Sequence, residues 1–449
     1  MKSIKYLLLF FFVAIITNPP AYSACDSDCD YDIGRCDTGE TQFEQDLDER
    51  DWDALYDYIN TKRTINVNEK SCNLTISGDV RAQWKRKCEE DYYGRIRRID
   101  KGDYYKYIGK DKYNMEFNLR FDYVCDRAWA VAHLQYDNTG GICSDHSCKK
   151  DPEGMHGSGS GCDLDLKKAY IGYNLCCDGC TRFDIEVGRR RLYQVFDSQV
   201  QFLSRFDGIM LKYDSCSDCL GDWYVHAAGF IVDARVDHYA YLIETGLYEL
   251  CDTGFEVKYS FVDWRKHGKN YCRVKDAIGT RFMNSQFTLY YHLNPDFICK
   301  PAKAFAALIW NHDAYVPSEK KLSHYRNDEP VYKREPKANL AWYAGFSVGE
   351  VVYQGDWAVN VQYQWVEARS IPDDDVSGIG NGNCRNYSFT SDGLGNTNFK
   401  GWRLEALYAF TDNISLDLRA EWSRAIDDAI YFGGEHKYSQ VRLEAIYAF

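Results

Sequence analysis

Beyond its first residues the chain has no run of about twenty apolar side chains, so no helix is expected to span a bilayer. Nor is there any excess of positive charge. The formal net charge is −13, or −15 once Lys2 and Lys5 leave with a leader, which argues against nucleic acid as a partner. Signatures of catalysis are missing too: no His-Glu-x-x-His, no Gly-x-Ser-x-Gly and no phosphate-cradling glycine loop occurs, and the ten histidines are scattered. The expectation is therefore a chain without catalytic residues, resident metal or cofactor. Pro372-Asp-Asp-Asp375 and Asp151-Pro-Glu-Gly154 admit calcium, although solvated acidic loops are the commoner meaning of such runs.

What is present begins with a secretory leader over residues 1–23. Lys2 and Lys5 supply its charge, Tyr6 to Ile16 its apolar core, and Ala21-Tyr-Ser23 its cleavage site. A lipoprotein reading of Cys25 meets Tyr22 where an aliphatic residue is expected. Residues 24–71 are acidic and carry Cys25, Cys29 and Cys36. Within them Phe43, Leu47, Leu55, Tyr56 and Ile59 recur at roughly helical spacing, so this segment is expected to lie in the periplasm with one short helix.

From residue 72 to 449 the pattern is strand after strand. At the C-terminus Val441, Leu443, Ala445, Tyr447 and Phe449 share one face, and Arg442 and Glu444 the other. Arg403-Leu-Glu-Ala-Leu-Tyr-Ala-Phe410 nearly repeats Arg442 to Phe449, 39 residues earlier. Sixteen strands are expected, starting near Leu74, Tyr113, Arg127, Leu166, Arg182, Gly208, Trp223 and Tyr239, then Phe255, Arg281, Ala302, Ala338, Asp356, Gly401, Ile414 and Tyr438. The segments at Arg127, Leu166 and Arg281 alternate poorly. Connectors after even strands are short, such as Thr411 to Asn413. Those after odd strands are long, such as Lys87 to Lys112, Thr139 to Asp163, Asn311 to Lys337 and Ala368 to Lys400. Alternation of period two, a chain that is 16% aromatic and this short–long rhythm predict an all-β fold: a transmembrane antiparallel β-barrel with polar side chains turned into its lumen. A mean hydropathy of −0.51 does not contradict it, because barrel strands never form an apolar block.

Eighteen cysteines behind a leader indicate an oxidising compartment and disulfides. Cys125, Cys176, Cys177, Cys180, Cys216, Cys219, Cys251 and Cys299 fall in or beside the short turns and are the disulfide candidates. Cys25, Cys29, Cys36 and Cys72 join them from the N-terminal side. Cys88, Cys143, Cys148, Cys162, Cys272 and Cys384 fall in the long loops. Cys177-Asp-Gly-Cys180 with Cys216-Ser-Asp-Cys219 also has the spacing of a four-thiolate zinc site, and the pairing of the cysteines is not readable from spacing.

The terminal alternation closing on Tyr447 and Phe449 resembles the sorting signal of bacterial outer-membrane barrels. Lys168-Ala-Tyr-Ile-Gly172, Ile185-Glu-Val-Gly-Arg189 and Ser204-Arg-Phe-Asp-Gly-Ile209 resemble the region of the fourth and fifth strands in the general Gram-negative porins. That resemblance implies an inward-folded loop, with Arg189, Arg190, Arg191 and Arg205 as a basic wall and Asp197 and Asp207 as the acidic side of a pore constriction. The chain departs from the family in that Leu192 to Ser204 is short and lacks a Pro-Glu-Phe-Gly-Gly stretch. The cysteine content resembles the porins of chlamydial-type envelopes. These resemblances imply an integral outer-membrane protein, a homotrimer in contact with lipid, that passes small hydrophilic solutes and ions and is cross-linked by disulfides to other envelope proteins. The alternatives are a cysteine-rich scaffold or adhesin with little pore activity, and a barrel protease or lipase.

Overall fold

The computed structural model of the chain describes residues 65–69, 72–90, 111–139, 163–217, 221–233, 238–248, 250, 253–266, 282–293, 300–314, 320–326, 329–334, 337–372, 375–379, 397–427 and 437–449. The expected leader, the expected short helix and Cys219, Cys251 and Cys299 lie outside the described residues. The strands run in chain order as β1 (Ile65–Glu69), β2 (Cys72–Glu90), β3 (Asp111–Cys125), β4 (Ala128–Thr139), β5 (Asp163–Asp178), β6 (Thr181–Arg191) and β7 (Arg205–Ser217). Next come β8 (Gly221–Asp233), β9 (His238–Leu247), β10 (Phe255–Lys266), β11 (Phe282–Leu293), β12 (Ala302–Asn311), β13 (Lys320–Arg326) and β14 (Glu329–Arg334). The last are β15 (Leu340–Glu350), β16 (Trp357–Val366), β17 (Phe399–Ala409), β18 (Ile414–Ala425) and β19 (Lys437–Ala448).

Sixteen of these, β2–β12 and β15–β19, pair antiparallel with their chain neighbours, and β19 closes on β2 from Lys437↔Glu90 to Ala448↔Asp79. The result is a closed antiparallel barrel, which leaves no edge unpaired. Each barrel strand begins within three residues of its expected start. Two short pieces were not foreseen. β1 adds to β2 at Cys72–Ile76, so the sheet starts inside the segment assigned to the periplasm. β13 and β14 form a separate hairpin within the connector from β12 to β15.

The seam is fixed by the terminal residue. The Phe449 N–H donates to the Gly78 carbonyl at 3.0 Å, and the Gly78 N–H returns a bond at 3.2 Å. A Cβ on Gly78 would meet the Phe449 ring at 2.7 Å, so only glycine lets that ring lie across the seam and stack near Phe117, 6.2 Å away. The short connectors gather at this end of the barrel, called here the turn end; the long ones gather at the loop end. At the turn end Cys180 and Cys216 form a disulfide between β5–β6 and β7, with Cα atoms 5.6 Å apart. Cys125 and Cys177 are also disulfide-bonded. Cys176, expected as a disulfide partner, is instead a free and exposed thiol, and Cys88 is free as well. Adjacent strand residues point to opposite faces, so the thiol beside bonded Cys177 is turned away from its neighbour's partner. The bond between Cys180 and Cys216 also removes two of the four thiolates a zinc site would need.

Outside, the barrel is apolar. Met115, Ile171, Val187, Ile209, Ile243, Phe287 and Leu308 stand exposed. Tyr123, Tyr173, Phe255, Tyr291, Phe410 and Tyr447 ring the turn end, and Tyr113, Tyr241, Trp310, Trp402 and Trp422 the loop end. A continuous apolar belt with two aromatic girdles far exceeds the patches tolerated on water-facing proteins and matches the lipid face of a membrane barrel.

Candidate functional site

The interior has two unlike sides. On β17, β18, β19, β2 and β3 the inward residues are charged and bound to one another. Arg81 holds Asp79 at 2.6 Å and Arg120 holds Asp122 at 2.7 Å. Arg419 meets Glu405 at 2.7 Å, Arg442 meets Asp417 at 2.6 Å, and Arg403 lies 3.4 Å from Glu421. The register sets Arg419 opposite Arg442, and Arg442 opposite Lys85. Three cations thus form one row across β18, β19 and β2, with Asp417 and Glu444 paired in the next inward row. Like charges directly opposite one another destabilise a sheet, so this row is a cost to folding that acidic neighbours offset in part.

On β7 to β10 the loop-end half of the inner wall is apolar, and Phe282 of β11 joins it. Phe206, Met210, Phe230, Leu242, Val262, Trp264 and Phe282 form one buried cluster there. The connector from β6 to β7 folds into the barrel against it. Its 3-10 turn, Leu192–Gln194, starts the descent, and Leu192, Phe196 and Phe202 bury completely in the cluster. Burying each such side chain is worth about 1.5–3 kcal/mol, which anchors the segment.

Polar groups of the same segment bind inward residues of β9, β10, β11 and β16. Both carboxylate oxygens of Asp197 accept from the Tyr290 hydroxyl, at 2.8 and 3.0 Å, and the Lys258 ammonium stands 4.0 Å away. The Asp197 N–H donates to Glu244 at 2.9 Å, and its carbonyl accepts from the Gln286 amide. Gln201 donates to Gln286 at 2.8 Å, and Gln362 donates to Gln199 at 3.1 Å.

A second connector, between β16 and β17, also enters. Ala368, Ile371, Asp375, Val376 and Ile379 are buried in it. Asp375 latches the two segments together: its carboxylate accepts the Phe202 N–H at 2.9 Å and the Ser204 N–H at 3.1 Å, and its carbonyl accepts the Leu203 N–H at 3.0 Å. Gly378, at φ +63°, turns the chain where a Cβ would press on Gln364 and Arg403 at 3.0 and 3.1 Å. Asp375 is thus neither a calcium ligand candidate nor a solvated loop acid.

The expected constriction residues are divided by strand alternation. Arg190 is inward, ion-paired with Glu186 and laid over the Tyr170 ring at 4.3 Å, with Lys212 on the other Glu186 oxygen at 3.0 Å. Asp197 is inward on the inserted segment. Arg189, Arg191, Arg205 and Asp207 have the opposite parity and belong to the outer face at the loop end, beside exposed Val187 and Ile209. Arg189 binds Asp207 there at 2.7 and 2.8 Å, Arg205 reaches Asp165 at 3.3 Å, and Arg191 meets the Tyr193 hydroxyl. The basic wall expected from these arginines is therefore corrected. Three consecutive arginines in a strand cannot all face one side, and of the three only Arg190 joins the inward cations, which include Arg81, Arg120, Arg403, Arg419, Arg442 and Lys85. The expected polar lumen lining is interrupted at the loop end of β7 to β10, where the inward residues are apolar. His133 and His226 face inward, bonded to Asn118 at 3.1 Å and Asp214 at 3.0 Å.

No protein-family model matches the chain, and no curated protein is similar to it. Among solved structures it is similar to Pseudomonas putida OprB, with a TM-score of 0.46 and 8% identity over 83% of this chain and 94% of that one. It is also similar to Salmonella typhi OmpF in complex with daunomycin, with a TM-score of 0.44 and 13% identity over 86% and 100% of the two chains. The outer membrane channel DcaP of Acinetobacter baumannii gives 0.43 and 11% identity over 85% and 99%. Likeness at this level is to architecture and does not extend to solute or assembly.

Proposed function

We propose that the chain is an outer-membrane porin: a water-filled channel through which small hydrophilic solutes and ions diffuse passively, without catalysis. One observation carries the reading. An apolar belt outside surrounds a charged wall inside, and two inserted segments narrow the space that the wall faces. Solutes pass along the row of Arg419, Arg442 and Lys85 and the row of Asp417 and Glu444 beside it, whose local field sorts them by sign while the inserted segments sort them by size. The functional unit is a homotrimer in the bacterial outer membrane, reached behind a cleaved leader. The test is conductance of the purified protein in a planar bilayer before and after reduction. Discrete stable steps in both states are expected, because the Cys180–Cys216 disulfide sits at the turn end and away from the inserted segments. Folded protein that gives no steps overturns the channel.

A second role fits beside it. The free, exposed Cys176 thiol at the turn end favours disulfide linkage to other envelope proteins, which would make the barrel part of a cross-linked scaffold. Non-reducing gels of native envelopes should then show high-mass species that collapse with reductant. A clean monomer or non-covalent trimer without reductant removes that role.

A further inference from the structure

The outer face at the loop end carries a row of cations that conduction does not use. Lys400, near the start of β17, stands directly opposite Arg424, near the end of β18. Both point outward, because Trp402 and Trp422, two residues nearer mid-barrel on the same strands, are exposed. Lys437 of β19 continues the row opposite Arg424 and is engaged elsewhere, so the open donors are those of Lys400 and Arg424. Like charges placed opposite one another destabilise a sheet.

Three other outward arginines at this end have a carboxylate beside them. Arg189 binds Asp207 at 2.7 Å, Arg265 binds Asp263 at 2.6 Å, and Arg86 lies 3.9 Å from Asp111. Among the described residues neither Lys400 nor Arg424 meets a carboxylate. Glu367, two residues beyond Trp365, accepts the Leu340 N–H at 2.9 Å instead. Lys400 is held over the Trp365 ring, 4.5 Å from its centroid, which offsets part of its charge and leaves its N–H donors open. The row stands on an aromatic pad. Trp402 lies opposite Trp422, Tyr363 meets Trp402 at 5.0 Å, and Trp342 stacks on Trp365 at 6.5 Å. Indoles gather where headgroups meet acyl chains, and the two cations lie about 7 Å further along the strands, at headgroup depth.

We propose that Lys400 and Arg424 bind the phosphate of an anionic lipid whose glycerol backbone and acyl chains lie along Trp402 and Trp422. Charge and depth together choose the occupant. The cations call for a counter-anion that the described residues do not supply, and the indoles beneath them place that anion on an amphiphile. A purely apolar partner would cover the indoles and leave the cations bare. A guanidinium presents two parallel N–H donors to a phosphate, and the lysine on the neighbouring strand adds a third. The inference rests on the membrane placement proposed above and not on conduction. A chain that conducts can therefore fail here, and one that does not can pass.

Native mass spectrometry of the full chain folded in maltoside micelles tests it, with dioleoyl phosphatidic acid against dioleoyl phosphatidylcholine. The wild type should retain the phosphatidic acid about fivefold better, the gain expected of charge-assisted hydrogen bonds at an exposed site. K400Q/R424Q should bring the two lipids level, whereas R265Q, which removes a paired cation at the same end, should leave the preference intact. W402L/W422L keeps both cations and should weaken retention of both lipids severalfold. Equal retention by the wild type, or a preference that survives K400Q/R424Q, overturns the site. If millimolar inorganic phosphate displaces the lipid while W402L/W422L leaves retention intact, the cations hold a free anion and the proposal fails. It fails equally if W402L/W422L dissociates an oligomer with lipid retention unchanged, because this face then seats a second copy.

Discussion

The two sides of the lumen are built from the same strand geometry and stabilised by opposite means. Over β7 to β11 inward Phe206, Phe230, Val262, Trp264 and Phe282 close around Phe196 and Phe202 of the inserted segment. That side is a core, and dispersion and burial hold it. Over β17 to β3 the inward positions carry Arg403, Glu405, Asp417, Arg419, Arg442, Glu444, Arg81 and Asp79, each within an ion-pair network. Taking such charges from water costs several kcal/mol per ion, and pairing them recovers only part of it. An apolar wall would be the cheaper one to fold. The charged side is therefore where function has set the residues, and the apolar side is where the obstruction is anchored.

Cutting the latch between the inserted segments should give the largest effect. Asp375→Ala leaves the Phe202 and Ser204 N–H groups without their acceptor, at about 1–3 kcal/mol each. Planar-bilayer recordings should show conductance rising about twofold or more, with noisier open levels, as the freed segments move. Unchanged conductance in a folded variant would mean that neither segment limits flow. Next comes the apolar side itself. Phe202→Ala should lower stability by about 3–5 kcal/mol, read by denaturant unfolding, with ion selectivity unchanged. A shift in selectivity would show that the two sides are not separable.

The charged side is sharpened by R419Q/R442Q. Removing two of the three row cations leaves Asp417, Glu405 and Glu444 with fewer counter-charges, so the channel should turn toward cations. Reversal potential across a tenfold KCl gradient reads the change directly. The paired substitution R189Q/R191Q, on the outer face, should leave that potential where it was. If the outer pair moves it more than the inner one, the assignment of faces is wrong.

Most of the barrel was legible because period two survives wherever one face meets lipid. The segments that alternated poorly have specific causes. In β5 a bulge opposite His133/Leu134 reverses the parity of every residue before it. In β4 Trp129 turns inward, where Gly172 makes room and a Cβ would sit 2.0 Å from its ring. In β11 Phe282 and Tyr290 face inward because the inserted segment packs on them. The site was less legible. Motif likeness placed Arg189, Arg191, Arg205 and Asp207 at the constriction, although the parity of three consecutive arginines was enough to send two of them outward. The row of Arg419, Arg442 and Lys85 needed a register between distant strands. Asp375 needed knowledge of which loop enters the barrel, and acidity alone pointed it to solvent.

The smallest effect belongs to neither side. In the connector between β15 and β16, Asp356 accepts from Lys300 at 2.5 Å and from the Tyr353 and Val352 N–H groups at 2.7 and 3.0 Å. Burial works to raise its carboxyl, but Lys300 and the two N–H groups prevail and hold it below the ordinary aspartate range. A carboxyl depressed in the folded state stabilises the fold above its unfolded value of about 3.9, and that contribution fades as pH falls through the folded value. Asp356→Asn should therefore unfold at lower denaturant than the wild type at pH 6, with the gap closing below about pH 4. Conductance and selectivity should not change, because the connector touches neither inner wall of the loop end. A gap that stays constant from pH 6 to well below the usual carboxyl range would assign the effect to lost hydrogen bonds rather than to the charge, and the turn end would then be held by geometry alone.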